Sequence, residues 1–439
     1  MTILPHQKLE TDVCVIGGGS GGIGAAITAA RLGARVVLVD RDAWLGGTTT
    51  NGGVSVWQPS VCCDALCREI FDRTRARGVS TLARAGLRPG AAMPVKRDDP
   101  AAVYCYSFTR MIPWTPQFCN GYVIGFDPAG FDATIREMLD ETGCCRVLDQ
   151  TTVTGVEVGA PGKLTQVIAS RGPDTLSISA HQFVDCTGDV EVARMAGVTT
   201  RCGEDPKALY GEPGAPQEES PRLNGVTLMY AIGREPGLAR PGDCEEYRGG
   251  AIHGSADIAE LPGDRFSVNN CFMISGDEAY AMGLDRAYEV LSRRIWLYWD
   301  LTRSNYGLDG YNIVWVAPRL GLREGPRIVG RYVLTEHDIR AGMKGQRHED
   351  IVAVTSHAMD THGTKSYCLE GPNGPFGIPF RCLQTNELEN LLVACRGASF
   401  SHLAASAARL QRTMIEIGVA AGKAAAGANP VPPREHWDY

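Results

Sequence analysis

Residues 12–26 read Asp-Val-Cys-Val-Ile-Gly-Gly-Gly-Ser-Gly-Gly-Ile-Gly-Ala-Ala, and residues 35–40 read Arg-Val-Val-Leu-Val-Asp. Few stretches limit a fold as tightly. The apolar run 13–16 is too short for a helix and suits a strand buried on both faces of a parallel sheet. Gly17, Gly19 and Gly22 then hold the G-x-G-x-x-G spacing. The first allows a tight turn, the second lets backbone approach a diphosphate, and the third lets the following helix pack on the strand. That helix, expected over 22–32, aims its N–H groups and positive dipole end at the diphosphate. Asp40 closes the second strand about twenty residues on, where a carboxylate can accept both hydroxyls of an adenosine ribose and would repel a 2′-phosphate. Strand, turn, helix and acid together predict a dinucleotide site. A glycine-rich loop of another α/β domain is the alternative, since the chain has 52 glycines.

The residues after Asp40 bear on which dinucleotide. Arg41 leads to Gly46 and Gly47, whose backbone can lie against a flat ring, and then to Thr48, Thr49 and Thr50, whose hydroxyls can reach phosphate or ring. This stretch resembles the second motif of glutathione-reductase-type FAD proteins. Residues 183–197 form a strand that ends in Thr187-Gly188-Asp189, much like the strand end that follows in those proteins. Residues 390–402 and a small-residue helix expected over 403–426 complete the order. Residues 318–335, Asp360-Thr-His362, Gly377-Ile-Pro-Phe380 and Cys395-Arg-Gly397 look like the broad FAD-dependent oxidoreductase family, distantly fumarate-reductase-like. The resemblance covers 10–60, 180–200 and 318–425; Phe380 departs from a tyrosine frequent in relatives. It implies an α/β, Rossmann-like FAD-binding domain of parallel sheet plus β-meander, with an inserted α+β substrate or cap domain and non-covalent FAD. The cofactor residues it implies are Ile16, Gly17, Gly19, Ser20, Gly21 and Gly22 in the turn, and Asp40 and Arg41 at the ribose. Gly46, Gly47, Thr48, Thr49, Thr187, Gly188 and Asp189 follow, with Arg396 for ribityl or phosphate oxygens and Ala404 and Ala405 where the C-terminal helix meets the ring.

At 439 residues the chain is long enough for two domains. The expected division is 1–204 and 366–426 for the FAD domain, 205–365 for the substrate or cap domain, and 427–439 for a tail. Residues 57–125 form an insertion lining the cavity, with a helix over 65–77 and aromatic, proline-bearing stretches. A helix is expected over 131–142, a β-meander over 147–184, and one helix over 277–301. The net charge of −7 gives no reason to expect nucleic acid or an anionic membrane as partner. With neither a membrane span nor a signal peptide in view, the cytoplasm is the expected location. Fifteen cysteines without a C-x-x-C pair suit reduced thiols better than disulfides or a metal site. Cys62 and Cys67 have the spacing of a redox disulfide, but lie too far beyond Gly47 for that role.

Oxidation by a flavin needs a donor carbon over N5, a base for the accompanying proton, and positive potential near the reduced ring. Asp360 and His362 lead as acid/base pair: a spacing of two in an extended segment puts both side chains on one face, and a carboxylate raises the basicity of an imidazole. A structural loop histidine is the alternative. His402 would lie near the flavin or pack there. Arg323 and Glu324 would anchor substrate or join an ion-pair network. Tyr104, Tyr106, Arg110 and Trp114 would line the cavity or the core, and the 293–299 helix would pack or join subunits in a homo-oligomer. The reading is an oxidoreductase taking an alcohol, amine or CH–CH unit of a small polar metabolite by hydride transfer to flavin N5, with reoxidation by dioxygen or an external acceptor. Reduction of an activated C=C, and a non-redox lyase or isomerase with FAD as scaffold, are the alternatives.

Overall fold

The computed structural model describes residues 6–58, 65–84, 122–159, 162–242, 244, 256–270, 272–362 and 374–433. Tyr104, Tyr106, Arg110, Trp114, Cys62 and Cys63 lie outside the described residues. The main sheet has seven strands, in the order Cys145–Leu148, Val36–Val39, His6–Ile16, Asp174–Asp185, Lys163–Arg171 and Thr152–Gly159, with Leu391–Val393 beside the end of Asp174–Asp185. The first four strands and Leu391–Val393 run parallel; the others form an antiparallel meander. Val13, Cys14 and Val15 are buried, as a strand covered on both faces requires. The 147–148 end of the expected meander belongs instead to the parallel strand Cys145–Leu148, paired with Val36–Val39.

Asp174–Asp185 serves both halves. Its first residues pair antiparallel with Lys163–Arg171, while Phe183–Asp185 pairs parallel with Leu391–Val393. The helix Ser20–Arg31 follows the glycine turn and crosses the helix Gln411–Ala425 at backbone distance. A Cβ on Gly418 would lie 2.1 Å from the Gly21 carbonyl oxygen, and one on Gly422 would lie 2.4 Å from that of Ala25. The small residues of the C-terminal helix are thus explained by helix–helix contact.

Two helices expected as single are each broken. Gly283, at φ 85° and ψ 138°, separates Gly276–Met282 from Leu284–Tyr306. Leu410, extended at φ −63° and ψ 145°, separates His402–Ala408 from Gln411–Ala425. A second, antiparallel sheet orders Asp257–Leu261, Arg265–Asn269, Tyr230–Gly233 and Asn312–Val316. Leu284–Tyr306 packs on it through Leu291, Ile295 and Trp299. Between positions 57 and 125, the sequence reading did not foresee a small sheet of Val56–Trp57, Tyr122–Phe126 and Ser80–Arg84. Trp57, Phe126 and Phe131 meet edge to face beneath it. No described helix is long and apolar enough to cross a membrane.

Candidate active site

A cavity of about 870 Å³ runs from the C-terminal ends of the parallel strands toward the antiparallel sheet. Its first end is the glycine turn. Gly17 donates to Val39 O at 2.7 Å and Cys186 to Ile16 O at 2.7 Å, which binds the three strand ends together. Two glycines there answer to the protein. A Cβ on Gly22 would sit 1.7 Å from Gly17 O, and one on Gly17, at φ 97°, would sit 2.4 Å from Cys186 O. Gly19 differs: its Cβ would meet nothing closer than Gly47 Cα at 3.9 Å. Protein packing leaves room for a side chain at 19, so the demand for glycine comes from the cavity side, as a diphosphate against the backbone would impose.

Ile16, Gly17, Gly19, Ser20 and Gly21 line this end with Asp40 and Arg41; Gly47, Thr48, Thr187, Gly188 and Arg396 line the stretch beyond. Asp40 is buried, its carboxylate accepting from the Gly18 and Asp42 amides. Burial, only partly offset by those two bonds, lifts its carboxyl to about 6. Arg41 reaches Glu191 at 3.2 Å. Gly22, Gly46, Thr49 and Asp189 do not line the cavity but support it. Asp189 accepts from Arg396 at 2.6 Å and from the Tyr280 hydroxyl at 2.8 Å, so Arg396 lies in the wall already paired.

The other end gathers Arg323, His357, Asp360, His362 and Arg409, with Leu410 and Gln411 at the start of the C-terminal helix. His362 Nε2 lies 2.7 Å from Asp360 Oδ2, and Arg409 Nη2 lies 3.3 Å from the same oxygen. Burial would raise the Asp360 carboxyl, but the His362 bond and the charges of His362 and Arg409 hold it well below the usual carboxylate range. Burial, then the nearby Arg323 charge, lowers His362 despite Asp360. Arg323 donates to Gly225 O at 2.7 Å, Thr227 Oγ1 at 3.0 Å and Asn269 Oδ1 at 3.2 Å.

Of four residues weighed for flavin or substrate, Glu324 and His402 take the alternatives, an ion-pair network and packing, and Ala404 and Ala405 lie in the core. Glu324 turns away from the cavity that Arg323 faces. It accepts from the Asn224 amide at 3.0 Å, from Arg327, and from His402 Nδ1 at 2.8 Å. His402 is fully enclosed in this ionic cluster, its own backbone N–H on Asp205 at 2.8 Å. Ala404 and Ala405 are buried in the core, because the break at Leu410 makes the start of Gln411–Ala425, not that of His402–Ala408, the helix end at the cavity. The sequence reading missed His357 and Arg409. Arg409 had left a signal, a lone cation interrupting a run of small apolar residues. None of the nine described cysteines is in a disulfide.

Parallel sheet, glycine cradle and buried strand-end acid define a dinucleotide-binding α/β protein whose cavity runs on into a polar far chamber. The chain belongs to the FAD-dependent oxidoreductase family, whose sequence profile, "FAD dependent oxidoreductase", matches residues 12–429. FAD is therefore its cofactor, and the cradle at Gly19 fits it. The chain is 54% identical to the mitochondrial dihydrolipoyl dehydrogenase of Caenorhabditis elegans over 44 residues, 10% of this chain and 9% of that one. With the Schizosaccharomyces pombe enzyme of the same name it shares 52% over 70 residues, 16% of this chain and 14% of that one. Only a small part of those relatives is spanned. Among solved structures, a geranylgeranyl bacteriochlorophyll reductase-like protein of Thermoplasma acidophilum aligns over 96% of this chain and 79% of its own, at 13% identity and TM-score 0.46. The L-amino acid deaminase of Proteus myxofaciens aligns over 99% and 94%, at 12% identity and TM-score 0.45. Likeness at this level carries no functional argument.

Proposed function

We propose that the protein oxidises an alcohol, amine or CH–CH unit of a small polar metabolite in the far compartment, with His362 as the base. The observation that supports this is the His362–Asp360 bond. With Nε2 2.7 Å from a carboxylate held ionised, the ring proton belongs on Nε2, and the Nδ1 lone pair is left toward the cavity. Arg409 keeps Asp360 charged and in place, and burial keeps the imidazole neutral and ready to accept a proton at neutral pH. Gly17, Gly19, Ser20 and Gly21 would hold the diphosphate, Asp40 the ribose, and Gly47, Thr48, Thr187, Gly188 and Arg396 the stretch toward the ring. Bound FAD supplies the acceptor for the two electrons and the hydrogen that leave the substrate carbon. The start of Gln411–Ala425 lends positive potential at that end. Dioxygen or an external acceptor would complete the cycle.

Anaerobic screening of FAD-loaded protein against alcohols, amines and carboxylates, watching the visible flavin band bleach, identifies a substrate. His362→Ala should then abolish bleaching while FAD stays bound. Unchanged reduction kinetics in that variant would remove His362 from the mechanism. The place of Arg323 at the same end favours one other reading, reduction of an activated C=C with Arg323 as proton donor. Reoxidation of the reduced protein by an enoate would be its mark.

A further inference from the structure

We infer that the substrate is a 2-amino carboxylate with an apolar side chain; this rests on reading the far compartment as the substrate site. The compartment presents two hydrogen-bond acceptors of fixed orientation. His357 Nδ1 lies 2.8 Å from the Ala358 carbonyl oxygen, which can only accept, so Nδ1 carries the proton and Nε2 the lone pair. His362 is locked the other way round by Asp360, with its lone pair on Nδ1. Among the described residues neither lone pair has a partner. Both residues line the cavity. Burial holds His357 down to about 4, and both rings are uncharged acceptors at neutral pH.

Two acceptors call for a group with more than one hydrogen to give. An amino group has them; a single hydroxyl has one. Opposite in character is Arg409. One Nη lies 3.3 Å from Asp360, while the other has no partner among the described residues. The residue caps the C-terminal end of His402–Ala408 and stands two positions before the 15-residue helix Gln411–Ala425, so its guanidinium and the N-terminal dipole of that longer helix favour an anion at the same place. A carboxylate is the group a guanidinium fork accommodates. Asp360 stands between this cation and His362, which shields an ammonium from Arg409. Met229, Phe272, Leu320 and Leu322 give the same wall apolar stretches beside Thr227, Asn269 and Arg323. Anion, multiple donor and hydrocarbon are thus each given a place.

The test separates binding from oxidation by using α-methylleucine, which keeps the amino, carboxylate and isobutyl groups but has no hydrogen on the carbon to be oxidised. It is titrated into the FAD-loaded protein beside its hydroxy analogue, its analogue without the amino group and its analogue without the carboxylate. Calorimetry and perturbation of the flavin spectrum report binding. α-Methylleucine should bind at least about tenfold more tightly than each of the others. His357→Phe should erase the preference over the analogue without the amino group, and Arg409→Met the preference over the analogue without the carboxylate. The wild-type series stands even where a variant does not fold. Equal or tighter binding of the hydroxy analogue, or no binding of α-methylleucine, overturns the assignment. In that event, His362-dependent bleaching by another compound would leave the oxidoreductase reading intact. Tight α-methylleucine binding with no bleaching by leucine would sink that reading instead.

Discussion

Asp40 offers a direct quantitative test of the cofactor end. Its carboxylate is 7% exposed and accepts from the Asp42 amide at 2.7 Å and from the Gly18 amide within the cradle. Burial lifts the carboxyl from 3.8 to about 6. The folded protein thus holds this proton more tightly than the unfolded chain. Its contribution to stability is therefore present below the unfolded value and is lost as pH rises through about 6, the reverse of a salt-bridged aspartate. The interval corresponds to about 3 kcal/mol. Asp40→Asn removes the titration while keeping the shape. Urea denaturation of FAD-free protein should show the wild type losing about 2 kcal/mol relative to Asp40→Asn between about pH 4 and pH 7. Affinity for FAD runs the other way, because ribose hydroxyls need the charged carboxylate. About nine-tenths of Asp40 is ionised at pH 7 and about one-tenth at pH 5, so the wild type should bind FAD about tenfold more weakly at the lower pH. Asp40→Asn should bind weakly at both. Wild-type affinity that stays level from pH 5 to 7, or Asn binding as well as Asp at pH 7, would refute the argument.

The two kinds of glycine in the cradle should behave differently. Gly22→Ala puts a methyl 1.7 Å from Gly17 O and should prevent soluble folding, whereas Gly19→Ala, with its nearest neighbour at 3.9 Å, should leave the melting temperature of FAD-free protein nearly unchanged and weaken FAD at least about tenfold. Equal melting temperatures for both variants would count against this division. Arg327→Met leaves buried Glu324 without its arginine, while Asp205 keeps Arg201 at 2.8 Å, and chemical denaturation should register a loss of about 3–5 kcal/mol with little change in FAD affinity. With His362 lowered by burial and Arg323, the acid limb of kcat/KM should fall below 6.5; a limb at or above that value would show that another group is the base.

The first βαβ unit was legible because every local choice agrees: a short apolar run, glycines at turn spacing, an acid at a strand end. Asp360 and His362 were legible for a similar reason, their spacing of two placing them in direct contact. What escaped depends on distant parts of the chain. Between positions 403 and 426 no proline stops the helix, yet Leu410 is extended, and the helix beyond it lies at backbone distance from Ser20–Arg31. That break moves Arg409 into the site and Ala404 and Ala405 out of it. Gly283 could have been read as a helix end, since an isolated glycine inside a helical pattern is a known signal. Arg323 and Glu324 are consecutive yet serve a cavity and a buried ionic cluster; adjacency in sequence does not say which way a side chain leaves the chain. His402, left open between the flavin and packing, packs in that same cluster.

The mixed pairing of Asp174–Asp185 bears on the order of assembly during translation. Its meander neighbours lie within a few tens of residues and can zip up as they emerge, but its parallel partner Leu391–Val393 and the helix that closes over Ser20–Arg31 arrive roughly two hundred residues later. A ribosome-bound chain stopped before position 391 would carry the glycine turn without the wall opposite it. Flavin capture is then expected late in biogenesis, after the chain has passed position 411.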